Sequence, residues 1–271
     1  MKSWLLFLFL LTGCSHLFYQ PSQHQYLDPA QYKLKFEEIW FSSKDGNPLH
    51  GWLFPAQGEV KGTIVHFHGN AQNISTHFLN LVWTAARGYN YFIFDYRGYG
   101  RSPGTPSQAT VYQDALAAID KADEIRHQRG GGKLVVYGQS LGSIISMRAL
   151  SDYDQSKIAL VVQDSPFYSY KKIAFDRLTD KWFLIPLAPF AFGLVSDEYA
   201  TWPILAKVTV PTLVITGSND IITPSLYGRY IFKHIGAEQK WWWRTEAKHI
   251  DVYFTENGKY REMLLELLDR L

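Results

Sequence analysis

The chain has 271 residues, 46% of them hydrophobic and 16% aromatic, enough to bury one large core. Twenty-seven basic residues against 25 acidic ones leave a net charge of +2, and no clustered run of lysine or arginine offers an electrostatic footprint for nucleic acid. Nothing resembles a flexible linker long enough to separate two domains, so one domain is expected.

The first residues, MKSWLLFLFLLTGCSH, set Lys2 before an apolar stretch from Trp4 to Leu11, followed by the small residues Gly13 and Ser15. Eight helical residues reach about 12 Å, well short of a hydrocarbon core of about 30 Å, so the stretch reads as an export signal and not as a transmembrane span. Leu11-Thr12-Gly13-Cys14 resembles the lipobox of bacterial lipoproteins. The resemblance implies that residues 1–13 are removed, that Cys14 is lipidated and anchors the protein to a membrane, and that 14–35 form a tether. Ser15 after the cysteine, instead of aspartate, implies sorting to the outer membrane, on its periplasmic face. The alternative is a plain signal peptide, or an uncleaved apolar N-terminus with an incidental cysteine. Cys14 is the only cysteine, so no internal disulfide can form and the core must hold the fold.

From Phe36 onward, short apolar runs alternate with longer helical patterns, the signature of a mostly parallel sheet of about eight strands with helices on both faces. Strands are predicted at 39–42, 49–54, 63–67, 91–94, 134–137, 158–163, 212–216 and 240–244. The first two read as a hairpin turning at Asp45-Gly46. Helices are predicted at 74–87, 108–129, 141–150, 225–235 and 258–271, the second closed by the glycines at 130–132. The stretch 171–208 breaks the alternation and has the length of an inserted cap. Its aromatic residues, with Pro186, Pro189 and Pro203, predict short broken helices over something apolar, a substrate surface or ordinary packing between two strands.

The pattern G-x-S-x-G occurs twice, around Ser102 and around Ser140. A serine hydroxyl needs a base, an oriented base, and donors for the oxyanion before it becomes a nucleophile at neutral pH. Ser140 lies between the predicted strand KLVVY and the predicted helix LGSIISMRAL, the strand–turn–helix setting of a nucleophile elbow, where the amide of Leu141 is left free to stabilise negative charge. Ser102 lies in the turn-rich stretch YRGYGRSPGTP and is followed by Pro103, which has no N–H to offer. Ser140 is the better nucleophile.

In elbow enzymes the acid and then the histidine follow the serine, each on a loop after a strand. Asp220 follows PTLVIT and His249 follows KWWWRT, in that order. Asp251, two residues past His249, is a further acid, and Asp164, at the end of another predicted strand, is the reserve. Upstream, HFHGNAQN places His68-Gly69-Asn70 after a strand, which points to the amide of Asn70 as the second oxyanion donor, or Ala71 if the register differs by one. His68 reads as a side chain bracing the loop.

Taken together, HFHGNAQN, FDYRGYGRSPG, YGQSLG, DSPF, TGSNDIITP and the KHID loop resemble the α/β-hydrolase superfamily from about Phe36 to Leu271. Within it they are similar to the ABHD17-like and Bem46-like serine hydrolases. The resemblance implies Ser140 as nucleophile, Asp220 as orienting acid, His249 as base, and Asn70 with Leu141 as oxyanion donors. It also implies structural roles for Asp95 and Arg97. These groups include thioesterases that remove fatty acyl chains from protein cysteines, alongside esterases without known substrates. The implied activity is cleavage of a carboxylic ester or acyl thioester through an acyl-enzyme, on a small-molecule, lipid or acyl substrate, with no metal or organic cofactor. A serine peptidase on the same fold and a non-catalytic envelope lipoprotein are the alternatives. Two features depart from the family pattern: no glycine precedes His249, and Trp241, Trp242 and Trp243 make a bulky strand whose side chains cannot all share one face. The tryptophans read as packing on the C-terminal helix, with a membrane-facing aromatic surface as the alternative.

Overall fold

A computed structural model describes residues 18–180 and 182–271. The predicted signal at 1–13, the lipidation residue Cys14 and the first part of the tether lie outside the described residues.

Eight strands form one sheet: β1 (Glu37–Ser42), β2 (Pro48–Phe54), β3 (Gly62–Phe67), β4 (Tyr89–Phe94), β5 (Lys133–Gln139), β6 (Leu160–Asp164), β7 (Thr212–Gly217) and β8 (Lys240–Thr245). Their spatial order is β8-β7-β6-β5-β3-β4-β2-β1. β1 and β2 are the antiparallel hairpin expected from Asp45-Gly46, and β2 pairs antiparallel with β4; every other pairing is parallel. β3, β4, β6 and β7 are buried along their whole length, as parallel strands covered on both faces must be, and this is why they read as near-continuous apolar runs. β1, at the sheet edge, alternates half-buried with exposed residues.

The sheet divides two cores. One contains Phe67, Phe92, Val136, Ile119, Ile144 and Ile231, and the other Tyr91, Tyr137, Val162, Phe78, Leu264 and Leu268. The first is covered by α2 (Gln108–Gln128), α3 (Leu141–Leu150) and α6 (Ser225–His234), the second by α7 (Lys259–Arg270). α2 begins at Ser107, whose Oγ accepts from the amide of Thr110 while the Thr110 hydroxyl accepts from the amide of Ser107. It ends before Gly130, Gly131 and Gly132, all at positive φ.

The sequence predicts one helix over 74–87; the chain instead makes a single helical turn, α1 (Ile74–His77), and two 3-10 stretches, Phe78–Asn80 and Val82–Arg87. Leu81 leaves the helical region at φ −129°, and the Trp83 indole and Thr84 hydroxyl bond to the carbonyls of Asn80 and Leu81. Such local bonds compete with a regular helix, and apolar spacing does not reveal them.

The inserted stretch does form short broken helices: α4 (Tyr170–Thr179), a 3-10 stretch Trp182–Leu187 containing Pro186, and α5 (Phe190–Leu194). Part of it packs on the core, with Ile173, Val195 and Leu205 buried and Tyr199 against them, while other large side chains point outward. Trp182 is 83% exposed, and Phe183 and Phe190 are each 60% exposed. The three tryptophans of β8 follow the pleat: Trp241 and Trp243 join the core under α7, and Trp242 turns to the other face against Phe232. Residues 18–35, read from sequence as part of a tether, lie against the domain, with Tyr19 only 2% exposed and Gln20–Pro21 paired in parallel with Ala71–Gln72. Among the described residues no helix is long and apolar enough to cross a membrane.

Candidate active site

Ser140 sits between β5 and α3 at φ +53° and ψ −114°, a positive-φ conformation that a residue with a Cβ adopts only where its surroundings enforce it. Two glycines make the turn feasible. A Cβ on Gly138 would stand 2.7 Å from Cα of Ser143, and one on Gly142 would overlap the Phe67 carbonyl and approach the His68 oxygen to 2.7 Å. The Ser140 amide donates to the carbonyl of Asp164 at 2.9 Å, which ties the elbow to the neighbouring strand β6.

His249 lies in the loop after β8. Its Nε2 is 2.9 Å from Ser140 Oγ and its Nδ1 is 2.8 Å from Asp220 Oδ2, so one imidazole joins the hydroxyl to the carboxylate. With Nδ1–H donating to Asp220, Nε2 is free to accept from the hydroxyl. Asp220 follows β7, and its other carboxylate oxygen accepts from the amides of Ile222 and Thr223 at 2.8 and 2.9 Å. The Thr223 hydroxyl, 2.8 Å from Asp220 Oδ2 and 3.0 Å from the Ser165 carbonyl, completes the cradle. Burial pushes the Asp220 carboxyl up, but the bonds from His249 and Thr223 outweigh it and leave the group below the usual carboxylate range, ionised beside the ring.

Sequence reading missed Thr223; an aspartate three residues before a threonine can close such a turn, but the pattern is too common to single out. The absent glycine before His249 also has an explanation. The backbone reverses one residue later, at Ile250 with φ +56°, where the Ile250 amide donates to Ser165 Oγ at 3.2 Å.

Neither alternative acid bonds to His249. Asp164 accepts from the Tyr137 hydroxyl at 2.9 Å and from Gln139 Nε2 at 3.2 Å, and its burial pushes its pKa up to about 6. Asp251 has a buried Oδ1 without a partner among the described residues. Ser102 is fully buried, donating to the Asp95 carbonyl at 2.8 Å and accepting from the His50 amide at 2.9 Å, and among the described residues no imidazole nitrogen is one of its hydrogen-bond partners. Arg97 braces the same loop by bonds to Asp114 and Asp45.

Gly69 faces the serine closely: a Cβ there would lie 3.7 Å from Cβ of Ser140 and 3.3 Å from Cε1 of His77. The next amide, that of Asn70, and the amide of Leu141 at the first position of α3 have no protein acceptor among the described residues. Ala71 is engaged in the pairing with Gln20 and gives its carbonyl to His77 Nε2 at 2.9 Å. His68 is buried between His77 and Tyr96, with Nδ1 2.7 Å from the Gly69 carbonyl, and so braces the loop. Among the described residues no group of three or more His, Cys, Asp or Glu is arranged to hold a metal.

A mostly parallel eight-stranded sheet with a serine at a strand-to-helix elbow defines an α/β-hydrolase. The family described as serine aminopeptidase S33 matches residues 58–195. The YfhR protein of Salmonella typhi is 32% identical over 284 residues, covering 96% of this chain and 90% of that one. The bem46 protein of Schizosaccharomyces pombe is 28% identical, covering 82% of this chain and 73% of that one. In three dimensions, an esterase of Pyrococcus furiosus superposes with a TM-score of 0.75 at 18% identity, over 93% of this chain and 97% of that one. The chain belongs to the α/β-hydrolase superfamily, in the family described as serine aminopeptidase S33.

Proposed function

We propose that the protein is a serine hydrolase that cleaves carboxylic esters or acyl thioesters through an acyl-enzyme. One observation carries this reading: the His249 ring stands 2.9 Å from Ser140 Oγ and 2.8 Å from Asp220. Ser140 Oγ attacks the acyl carbon while His249 Nε2 takes its proton, and the negative charge on the former carbonyl oxygen meets the amides of Asn70 and Leu141. The imidazolium, held by Asp220, then protonates the departing alcohol or thiol. Water deprotonated by the same ring attacks the acyl-enzyme, releasing the acid and restoring Ser140.

The surroundings favour an apolar acyl or aryl group over a sugar. Ile221, next to Asp220, is 81% exposed and Leu226 is 71% exposed. The cap adjoins Ile221, since Arg177 of α4 donates to the Ile221 carbonyl at 2.7 Å. Trp182 and Phe183 of the same inserted stretch are exposed as well.

A fluorophosphonate probe tests the reading. Labelling is expected in the wild type and in Ser102→Ala, and is expected to vanish in Ser140→Ala; an unlabelled wild type would support the non-catalytic alternative. The serine aminopeptidase description of the matching family favours a second reading, a peptidase. Rates on matched ester and amide substrates separate the two.

The N-terminus is proposed to anchor the enzyme at the periplasmic face of the outer membrane through lipidated Cys14. Cys14→Ala should release the protein from the membrane fraction, and unchanged retention counts against lipidation there.

A further inference from the structure

The stretch just upstream of the domain reaches into the candidate site. The Gln20 amide donates to Asn70 Oδ1 at 2.8 Å and to the Tyr99 hydroxyl at 3.1 Å, and that hydroxyl donates to the same Asn70 oxygen at 3.1 Å. Beside this contact, Gln20–Pro21 pair with Ala71–Gln72 as a short parallel ladder. The strap is fastened at both ends. Tyr19 is buried in the core under α2 and α3, and Asn73 Nδ2 donates to the carbonyls of Ser22 and His24, each at 2.8 Å.

The loop it grips needs such support. Gln72 has φ +67°, an unfavourable conformation for a residue with a side chain, and Gly69 adds backbone freedom beside Ser140. An oxyanion donor works only if it is aimed before charge develops.

We infer that residues 19–22 are a working part of the site: the backbone N–H of Gln20, by fixing the Asn70 side chain, positions the Asn70 amide toward the reacting oxygen. The inference rests on the serine hydrolase reading above. Gln20 is thus a positioning residue, acting through its backbone and not through its side chain. The strap stabilises the transition state more than it binds substrate, because the Asn70 amide bears charge only once the tetrahedral species forms.

The full-length chain carries the test. Gln20→Pro removes the N–H, and because Gln20 precedes Pro21 it already favours the extended conformations that proline tolerates. Gln20→Ala keeps the N–H and serves as the rescue. On p-nitrophenyl butyrate, Gln20→Pro is expected to lower kcat about tenfold to a hundredfold with little change in KM, and to weaken an alkylboronic acid inhibitor in parallel. Gln20→Ala is expected to match the wild type. If Gln20→Pro unfolds the chain, Tyr99→Phe substitutes for it, because the Tyr99 hydroxyl accepts from the Gln20 amide and donates to Asn70 Oδ1, so its loss loosens the same clasp; a smaller fall in kcat and boronate affinity is expected. Unchanged kcat and boronate affinity in a folded Gln20→Pro, or in Tyr99→Phe where that variant stands in, overturns the inference while wild-type probe labelling stands. A wild type that neither labels nor turns over overturns the hydrolase reading, and this inference with it.

Discussion

Gly142 stands directly against the carbonyl of Phe67, with no room for a Cβ between the start of α3 and the end of β3. This contact sets the depth at which α3 meets the sheet, and so the positions of both the Leu141 amide and the Ser140 hydroxyl. Because the obstructing atoms are backbone, a side chain here cannot be accommodated by a rotamer change.

Gly142→Ala is therefore expected to destabilise the fold by about 3 kcal/mol or more and to abolish probe labelling of the folded fraction. Thermal melts with labelling measured below the transition check both. A variant with wild-type Tm and labelling would mean that the contact is loose.

Asp220→Asn replaces a carboxylate that accepts from His249 Nδ1, the Thr223 hydroxyl and two amides. An amide can turn its NH2 toward the ring and favour the wrong tautomer, so kcat should fall about a thousandfold to ten-thousandfold. Single-turnover rates on an activated ester measure it, and a loss below about tenfold would remove Asp220 from the orienting role. The same substitution at Asp164 should cost far less activity, since Asp164 bonds to Tyr137 and Gln139 and not to the ring.

Asp95 predicts a pH effect of definite sign. Burial raises its carboxyl to about 8, against an ordinary value of about 3.9 in the unfolded chain. Between those limits the native state holds the proton more tightly, so the group's contribution to stability is complete below about pH 4 and is lost as pH rises toward about 8. Asp95→Asn cannot ionise and keeps an acceptor for the Ile74 amide. Its Tm should gain on the wild type steadily across that range, and a difference in Tm that does not vary with pH would disprove the assignment.

Trp182 and Phe183 are so exposed that changing both to serine should leave the fold intact, within about 0.5 kcal/mol per site. If they receive acyl chains, KM for long-chain esters should rise about fivefold, corresponding to about 1 kcal/mol of lost apolar burial, with short-chain esters unaffected. A chain-length series gives the answer, and equal effects at all lengths would place the acyl group elsewhere.

Much of the architecture is legible in neighbouring residues. KLVVYGQ followed by SLGSIISMRAL states a buried strand, a tight turn and a helix within eighteen residues, and Pro103 disfavours the rival serine by chemistry that needs no structure. Over 74–87 the structure departs from the expected helix because an α-helix and a chain of 3-10 turns can show similar apolar spacing. The inserted stretch 171–208 was recognisable as irregular from its prolines, but not the outward orientation of Trp182, which depends on what the rest of the fold leaves uncovered.

Strand and helix order, the elbow at Ser140 and the order in which acid and histidine follow it are written locally, because turn chemistry and burial periodicity act between residues close along the chain. What needed the assembled fold is that Thr223 supports Asp220 beside His249, and that Gln20 grips Asn70 from fifty residues away. Those contacts depend on the register of paired strands and on side chains converging across loops. Such long-range geometry leaves no periodic trace in the sequence, and only the assembled sheet supplies it.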